Sequence, residues 1–338
     1  MRYRWKNSIW LLSVTIGIAA GNAQRSLYDQ GRAAFDTQRW PEAAELMMQA
    51  DAATPGTTDA LLFAGKAFLH LDRLPEADGS LSSFIAKHPD SADALYALGF
   101  VQQKENKPRQ SLLTFTRAAK LQPPTSEELR IVGLDYVLLN DYPDAIHWLE
   151  KAVQFDPANA DAWYSLGRCD YTQSRFHDAE AAFQRAIAIH PADEKAYENL
   201  GLTYSAENMP KEAEQCFQKS IALAQQEAPL DEWPFWDYGN FLFELNRTTE
   251  AVPLFEKAVA INPTCASCRE MFGRALCATG KLQEGVEQLE KAVALDTKNP
   301  KLHYELGLAY RQAGSPDQAR QELDLSRQLY GSKAAEPH

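Results

Sequence analysis

The sequence predicts an all-α fold made of nine tandem two-helix units, and three periodicities predict it. Glycines fall at Gly31, Gly65, Gly99, Gly133, Gly167 and Gly201, each 34 residues after the last. After four extra residues the series resumes at Gly239, Gly273 and Gly307. Twelve residues after each glycine stands a small residue: Ala43, Ala77, Ser111, Ala145, Ala179, Ala213, Ala251, Gly285 and Ala319. Four further on stands a large apolar one: Met47, Leu81, Phe115, Leu149, Phe183, Phe217, Phe255, Leu289 and Leu323.

Each periodicity has a physical reading. Two small residues, one on each helix, let the paired backbones approach closely. The large residue, four positions after the second of them, falls on the same helical face and fills the seam. Pro55, Pro89, Pro123, Pro157, Pro191 and Pro263 close six of the units, because proline cannot continue a helix. Pro41, Pro75, Pro108, Pro143, Pro210 and Pro316 stand just before or within the first turn of the second helix, where a missing N–H costs nothing. Units of this kind cannot bury their apolar faces alone, so the core runs on from unit to unit.

The segment from Trp163 to Gly167 and the segment from Ala179 through Phe183 and Ala186 to Pro191 resemble the tetratricopeptide repeat, a 34-residue helix-turn-helix. The resemblance covers repeats at 24–57, 58–91, 92–125, 126–159, 160–193, 194–227, 232–265, 266–299 and 300–333, with a tail at 334–338. It implies a right-handed superhelical solenoid of eighteen helices. Departures are small: repeat six lacks its closing proline, repeat eight has Thr297 there, and Arg327 is read at a usually small position of repeat nine. The last helix, with Asp324, Ser326, Arg327 and Gln328, is expected to serve as a cap facing water.

The resemblance also implies that the first helix of each pair lines a concave groove. Counting from seven residues before each glycine, the groove positions are the second, fifth, ninth, twelfth and thirteenth. They give Tyr28, Arg32, Tyr96, Tyr164, Arg168, Tyr171, Trp236, Asn240, Arg274 and Tyr304 as candidate partner-binding residues. Aromatics and arginines are enriched at interface hot spots, and an extended peptide or exposed segment of a protein partner suits such a groove. The same side chains also pack against neighbouring repeats, and about half are expected to be partly core. A lysine-and-asparagine clamp for chain termini and an asparagine ladder occur in relatives of this family. Neither is supported here: the clamp lysine is missing and only Asn199 stands at the ladder position.

Residues 1–23 stand apart. Arg2, Arg4 and Lys6 precede an apolar run from Ile9 to Ala20, and Gly21-Asn22-Ala23 offers small residues for cleavage. That is the layout of a secretory signal peptide. The run is shorter than the roughly 20 residues a membrane span needs; the alternative is an uncleaved anchor. Cleavage removes three positive charges and takes the formal charge from −12 to −15. Such a chain is repelled by phosphate backbones, so nucleic acid is excluded as a partner, and no membrane insertion is expected after cleavage.

No HExxH, GxSxG, Walker-type loop or GxGxxG occurs, and the seven histidines lack metal spacing. No catalytic residue, metal or cofactor is therefore expected. Cys265-Ala-Ser-Cys268 leaves three readings open: a local disulfide, two unpaired thiols, or a redox pair activated by a helix N-terminus. Cys169, Cys216 and Cys277 are read as buried small hydrophobes. The function expected is an exported, periplasmic or secreted, non-enzymatic protein-binding scaffold. The alternatives are a thiol-disulfide protein built on Cys265 and Cys268, and an accessory subunit of an envelope polysaccharide or secretion assembly.

Overall fold

The computed structural model describes residues 27–53, 55, 56, 58–226 and 230–333. The expected leader, the tail and half of the four-residue insertion at 228–231 lie outside the described residues. Every regular element among those residues is a helix.

The contacts divide the chain into two compact units, 1–169 and 170–338. The first holds α1 (27–36), α2 (Trp40–Ala53), α3 (Ala60–His70), α4 (Leu74–Lys87), α5 (Ala92–Lys104), α6 (Pro108–Ala119), α7 (Ser126–Leu138) and α8 (Tyr142–Phe155). The boundary falls inside α9 (Ala160–Thr172). The second holds α10 (Phe176–Ile189), α11 (Glu194–Ala206), α12 (Pro210–Ala224), α13 (Trp233–Glu244), α14 (Thr248–Ile261), α15 (Ala266–Ala278), α16 (Leu282–Leu295), α17 (Pro300–Gln312) and α18 (Pro316–Lys333). Ahead of the insertion, α12 runs 15 residues, against 14 for α10 and α14.

Helix starts follow local chemistry. Pro75, Pro108, Pro143, Pro210 and Pro316 lie in the first turns of α4, α6, α8, α12 and α18. Ser91, Asp193 and Asn299 cap α5, α11 and α17, accepting from the backbone N–H groups of Ala94, Ala196 and Lys301.

Each first helix ends in the same turn. One residue per repeat takes the left-handed conformation: Gln38, Asp72, Asn106, Asn140, Ser174, Asn208, Asn246, Gly280 and Gly314. The N–H that follows reaches back five residues, as from Lys107 to the Gln102 carbonyl at 2.8 Å and from Lys281 to that of Leu276 at 2.9 Å. This is a Schellman closure, which satisfies a helix-end carbonyl and reverses the chain. The sequence carried its signal in the asparagines and glycines at six of these positions, but the other three residue types blur it.

The predicted seam forms in both units. Met47, Leu81, Leu149, Phe183, Phe217 and Phe255 are fully buried, and so are the small residues facing them. Burying each such side chain contributes about 1.5–3 kcal/mol. Leu323 is only half-buried. A Cβ on Gly99 would lie 2.7 Å from the Phe115 ring, so close helix approach, not a turn, selects glycine there.

Repeat nine corrects one expectation. Its small-residue position is Ser326, not Arg327, and Ser326 does not face water. It is buried and donates to the Pro300 carbonyl at 2.7 Å. Arg327 is exposed and pairs with Asp324.

Within the first unit α3 meets α5 and α5 meets α7. Within the second, α11 meets α13, α13 meets α15 and α15 meets α17. Within each unit, these first helices therefore stand side by side, flanked by second helices.

Candidate binding face

The outward positions of the first helices hold three kinds of side chain. Some are absorbed by the fold. Tyr96 is buried and donates to the Gln122 carbonyl at 2.7 Å, so it belongs to the core and not to an open face. The Tyr28 hydroxyl donates to Asp59. The Arg32 guanidinium lies 3.8 Å above the Phe63 ring and also reaches Asp36.

Others stay at least partly open. Tyr164, Arg168 and Tyr171 share α9, with the Arg168 guanidinium 5.8 Å above the Tyr164 ring. Tyr171 meets the edge of Phe176 at 5.5 Å. Trp236 packs beside the Phe235, Cys265 and Cys268 cluster, yet its buried Nε1–H has no hydrogen-bond partner among the described residues. Asn240 donates to Glu244 at 3.1 Å, and Tyr304 is exposed.

The third kind was not singled out in the sequence. Glu198 stands at the fifth position of repeat six and Asp237 at the sixth position of repeat seven. Their carboxyls lie within hydrogen-bonding reach of each other across α11 and α13. Glu198 is 9% exposed, and among the described residues its Oε1 has no hydrogen-bond partner. Burial, then the closeness of Asp237, raises the Glu198 carboxyl, with Asp231 and Glu194 adding to the effect. Burial and Asp231 raise Asp237 as well. Two like charges out of water hold a proton between them. Burial, then Asp237 and Glu244, also raises the Tyr171 phenol, which puts Tyr171 at the rim of this pair. The available signal was an acidic residue at the fifth position of one repeat and the sixth of the next.

The same two positions recur in repeats eight and nine as Glu270 and Glu305. There Lys301 reaches Glu270 at 2.8 Å, and Arg274 bridges Glu270 at 3.4 Å and Glu305 at 3.5 Å. Arg274, a predicted groove residue, thus serves an internal ion network. With Glu305 and Phe243 it also lines a cavity of about 200 Å³.

A second buried acid lies in the first unit. Asp135 on α7 is fully buried, and burial pushes its carboxyl up to about 7. Nearby, α5, α6, α7 and α8 enclose an apolar cavity of about 520 Å³ lined by Tyr96, Phe115, Leu129, Val132 and Trp148.

Cys265 and Cys268 are joined by a disulfide at the N-terminus of α15, and the Cys265 Sγ accepts the Cys268 N–H at 3.1 Å. Cys268 is fully buried. Cys169 is buried as well, whereas Cys216 and Cys277 are half-buried, with both thiols raised by burial. Among the described residues no group of three or more histidines, cysteines or acids is placed to hold a metal, and no helix is long and apolar enough to cross a membrane.

Models of the tetratricopeptide repeat match residues 28–77, 133–194, 194–227 and 235–265, and a TPR repeat model matches 273–314. The TPR repeat-containing thioredoxin TTL4 of Arabidopsis thaliana is 30% identical over 90 residues, covering 27% of this chain and 13% of its own length. The chain thus spans about an eighth of that relative. A tetratricopeptide repeat protein from Parabacteroides merdae superposes with TM-score 0.58 at 17% identity, over 75% of this chain and 99% of its own. PilW, a type IV pilus biogenesis factor, superposes with TM-score 0.55 at 18% identity, over 62% and 94%. At these identities the likeness is one of fold.

Proposed function

The chain belongs to the tetratricopeptide repeat family, and we propose that it is an exported, non-enzymatic binding protein that holds an extended segment of another protein along its first helices. The fold itself supports a role in protein interaction. The observation that carries the finer reading is the chemistry of the first-helix face. Tyr164 and Arg168 in the first unit, and Tyr171, Trp236, Asn240 and Tyr304 in the second, stand partly or fully open on first helices. Large amphipathic side chains of this kind concentrate binding energy.

Export is supported by the basic and apolar leader at 1–23, and by the Cys265–Cys268 disulfide, which suits an oxidising compartment. With Cys268 sealed in the core, the disulfide serves to pin the first turn of α15. A thiol count should give three groups before reduction and five after, for the cysteines at 169, 216, 265, 268 and 277. Five groups before reduction would remove the disulfide and its support for export.

The test places a photoreactive residue at position 171 or 240, and as a control at position 256 on the exposed side of α14. The same small set of proteins should be captured from the first two positions and not from the third. Equal capture from all three would overturn the face, and a secreted fraction still carrying Met1 would overturn cleavage.

A further inference from the structure

We infer that the Glu198–Asp237 pair is the receptor for a lysine or arginine side chain of the bound segment. The inference rests on the binding face proposed above and names the chemistry of what that face accepts.

Three observations carry it. Among the described residues no donor reaches the buried Glu198 Oε1, and such a group costs stability until a donor arrives. Asp237, beside it, is only partly buried, so the pair is open on one side. The third observation is internal to the molecule. Glu270 and Glu305 occupy the same two repeat positions, and that cradle is already filled by two cations. Arg274 comes from the ninth position of the first repeat and Lys301 from the second position of the next. In repeats six and seven those positions hold Leu202 and Trp233. The carboxylates recur, and apolar side chains stand where the two cations stand in repeats eight and nine.

The surroundings favour a cation on a long stem. Asp231 and Glu194 add further negative charge beside the pair, which repels an acidic segment. The raised carboxyls fit an empty receptor: they share a proton that an arriving ammonium or guanidinium displaces. A lysine or arginine stem packs its methylenes against apolar surface while its head reaches the acids, and Trp233 supplies such a surface.

The experiment uses the full chain, immobilised, and four pools of N-acetylated, amidated nonapeptides with random flanks. The central residue is lysine, arginine, norleucine or glutamate. Lysine and arginine pools should be retained about tenfold over the norleucine pool. The Glu198→Gln, Asp237→Asn variant should lose that preference. A Glu212→Gln, Glu256→Gln control, with the same charge change on exposed second helices, should keep it. Trp233→Lys, which supplies a cation from the position of Lys301, should abolish the preference and raise Tm together.

Equal loss in the control would mean general charge attraction and would overturn the receptor. So would displacement of the lysine pool by calcium or magnesium on wild type alone, which would make it a metal site. If photo-capture at position 240 succeeds while the pools show no preference, the receptor falls and the binding face stands. If capture fails as well, the face falls with it.

Discussion

Gly99 and Phe115 meet in the third repeat as Gly239 and Phe255 do in the seventh. A Cβ would lie 2.7 Å from the ring in one and 2.9 Å in the other. Glu198 and Asp237 occupy the same repeat positions as Glu270 and Glu305, yet among the described residues no cation pairs with the first two, while two pair with the second. The seam and the outward face belong to the same helices. The seam answers to packing density, which every repeat must satisfy against its neighbours. The face answers to whatever lies on it, so its charges need not be completed from within. The family fold is thus set by what recurs, and the binding chemistry is sought in what fails to recur.

The comparison breaks most easily at the seam. Phe255→Ala removes a fully buried ring and should cost about 3–5 kcal/mol in urea unfolding. On the face, Tyr304→Ala should cost less than about 0.5 kcal/mol, because that ring is exposed. A Tyr304 variant as damaging as the Phe255 one would mean that the two surfaces do not differ as described.

A smaller effect tests the filled cradle. Arg274→Met keeps the apolar stem and leaves Lys301 as the remaining partner of Glu270. The expected loss is about 1–2 kcal/mol. It stays below the 3–5 kcal/mol of a fully buried pair because Arg274 remains in contact with water. An unchanged midpoint would show that Lys301 alone completes the cradle.

The seam was legible because each of its residues is fixed by sterics that depend only on spacing: glycine, small residue, large residue. Pairs such as Gly133 with Leu149 could be read as a string. The face was legible in position but not in state. The spacing put Tyr96 on it, but whether Tyr96 is open depends on the carbonyl of Gln122, 26 residues away. Glu198 and Asp237 were harder still. Each is an ordinary surface residue in sequence, and their meeting depends on how α11 and α13 stack. The Arg327 misreading had a simpler cause, a one-residue slip that moves a side chain about 100° around a helix.

Glu198→Gln sharpens the contrast between the two carboxylate pairs. In wild type the buried pair keeps a proton above the ordinary carboxyl range, while the unfolded chain has already released it. The folded state therefore binds more protons than the unfolded one between the ordinary carboxyl pKa and the raised one. Stability falls as pH rises through that window. Below it both states are protonated and the pair makes no difference. Glutamine removes one titrating group and offers its amide N–H groups to Asp237, so the variant should melt at nearly the wild-type temperature near pH 4. It should gain progressively on wild type toward pH 8, by about 1 kcal/mol or more. Glu270→Gln should instead lower stability, because Lys301 and Arg274 then face a neutral group. Parallel melting curves for Glu198→Gln and wild type across that pH range would mean that the pair carries no strained charge, and the two cradles would be equivalent.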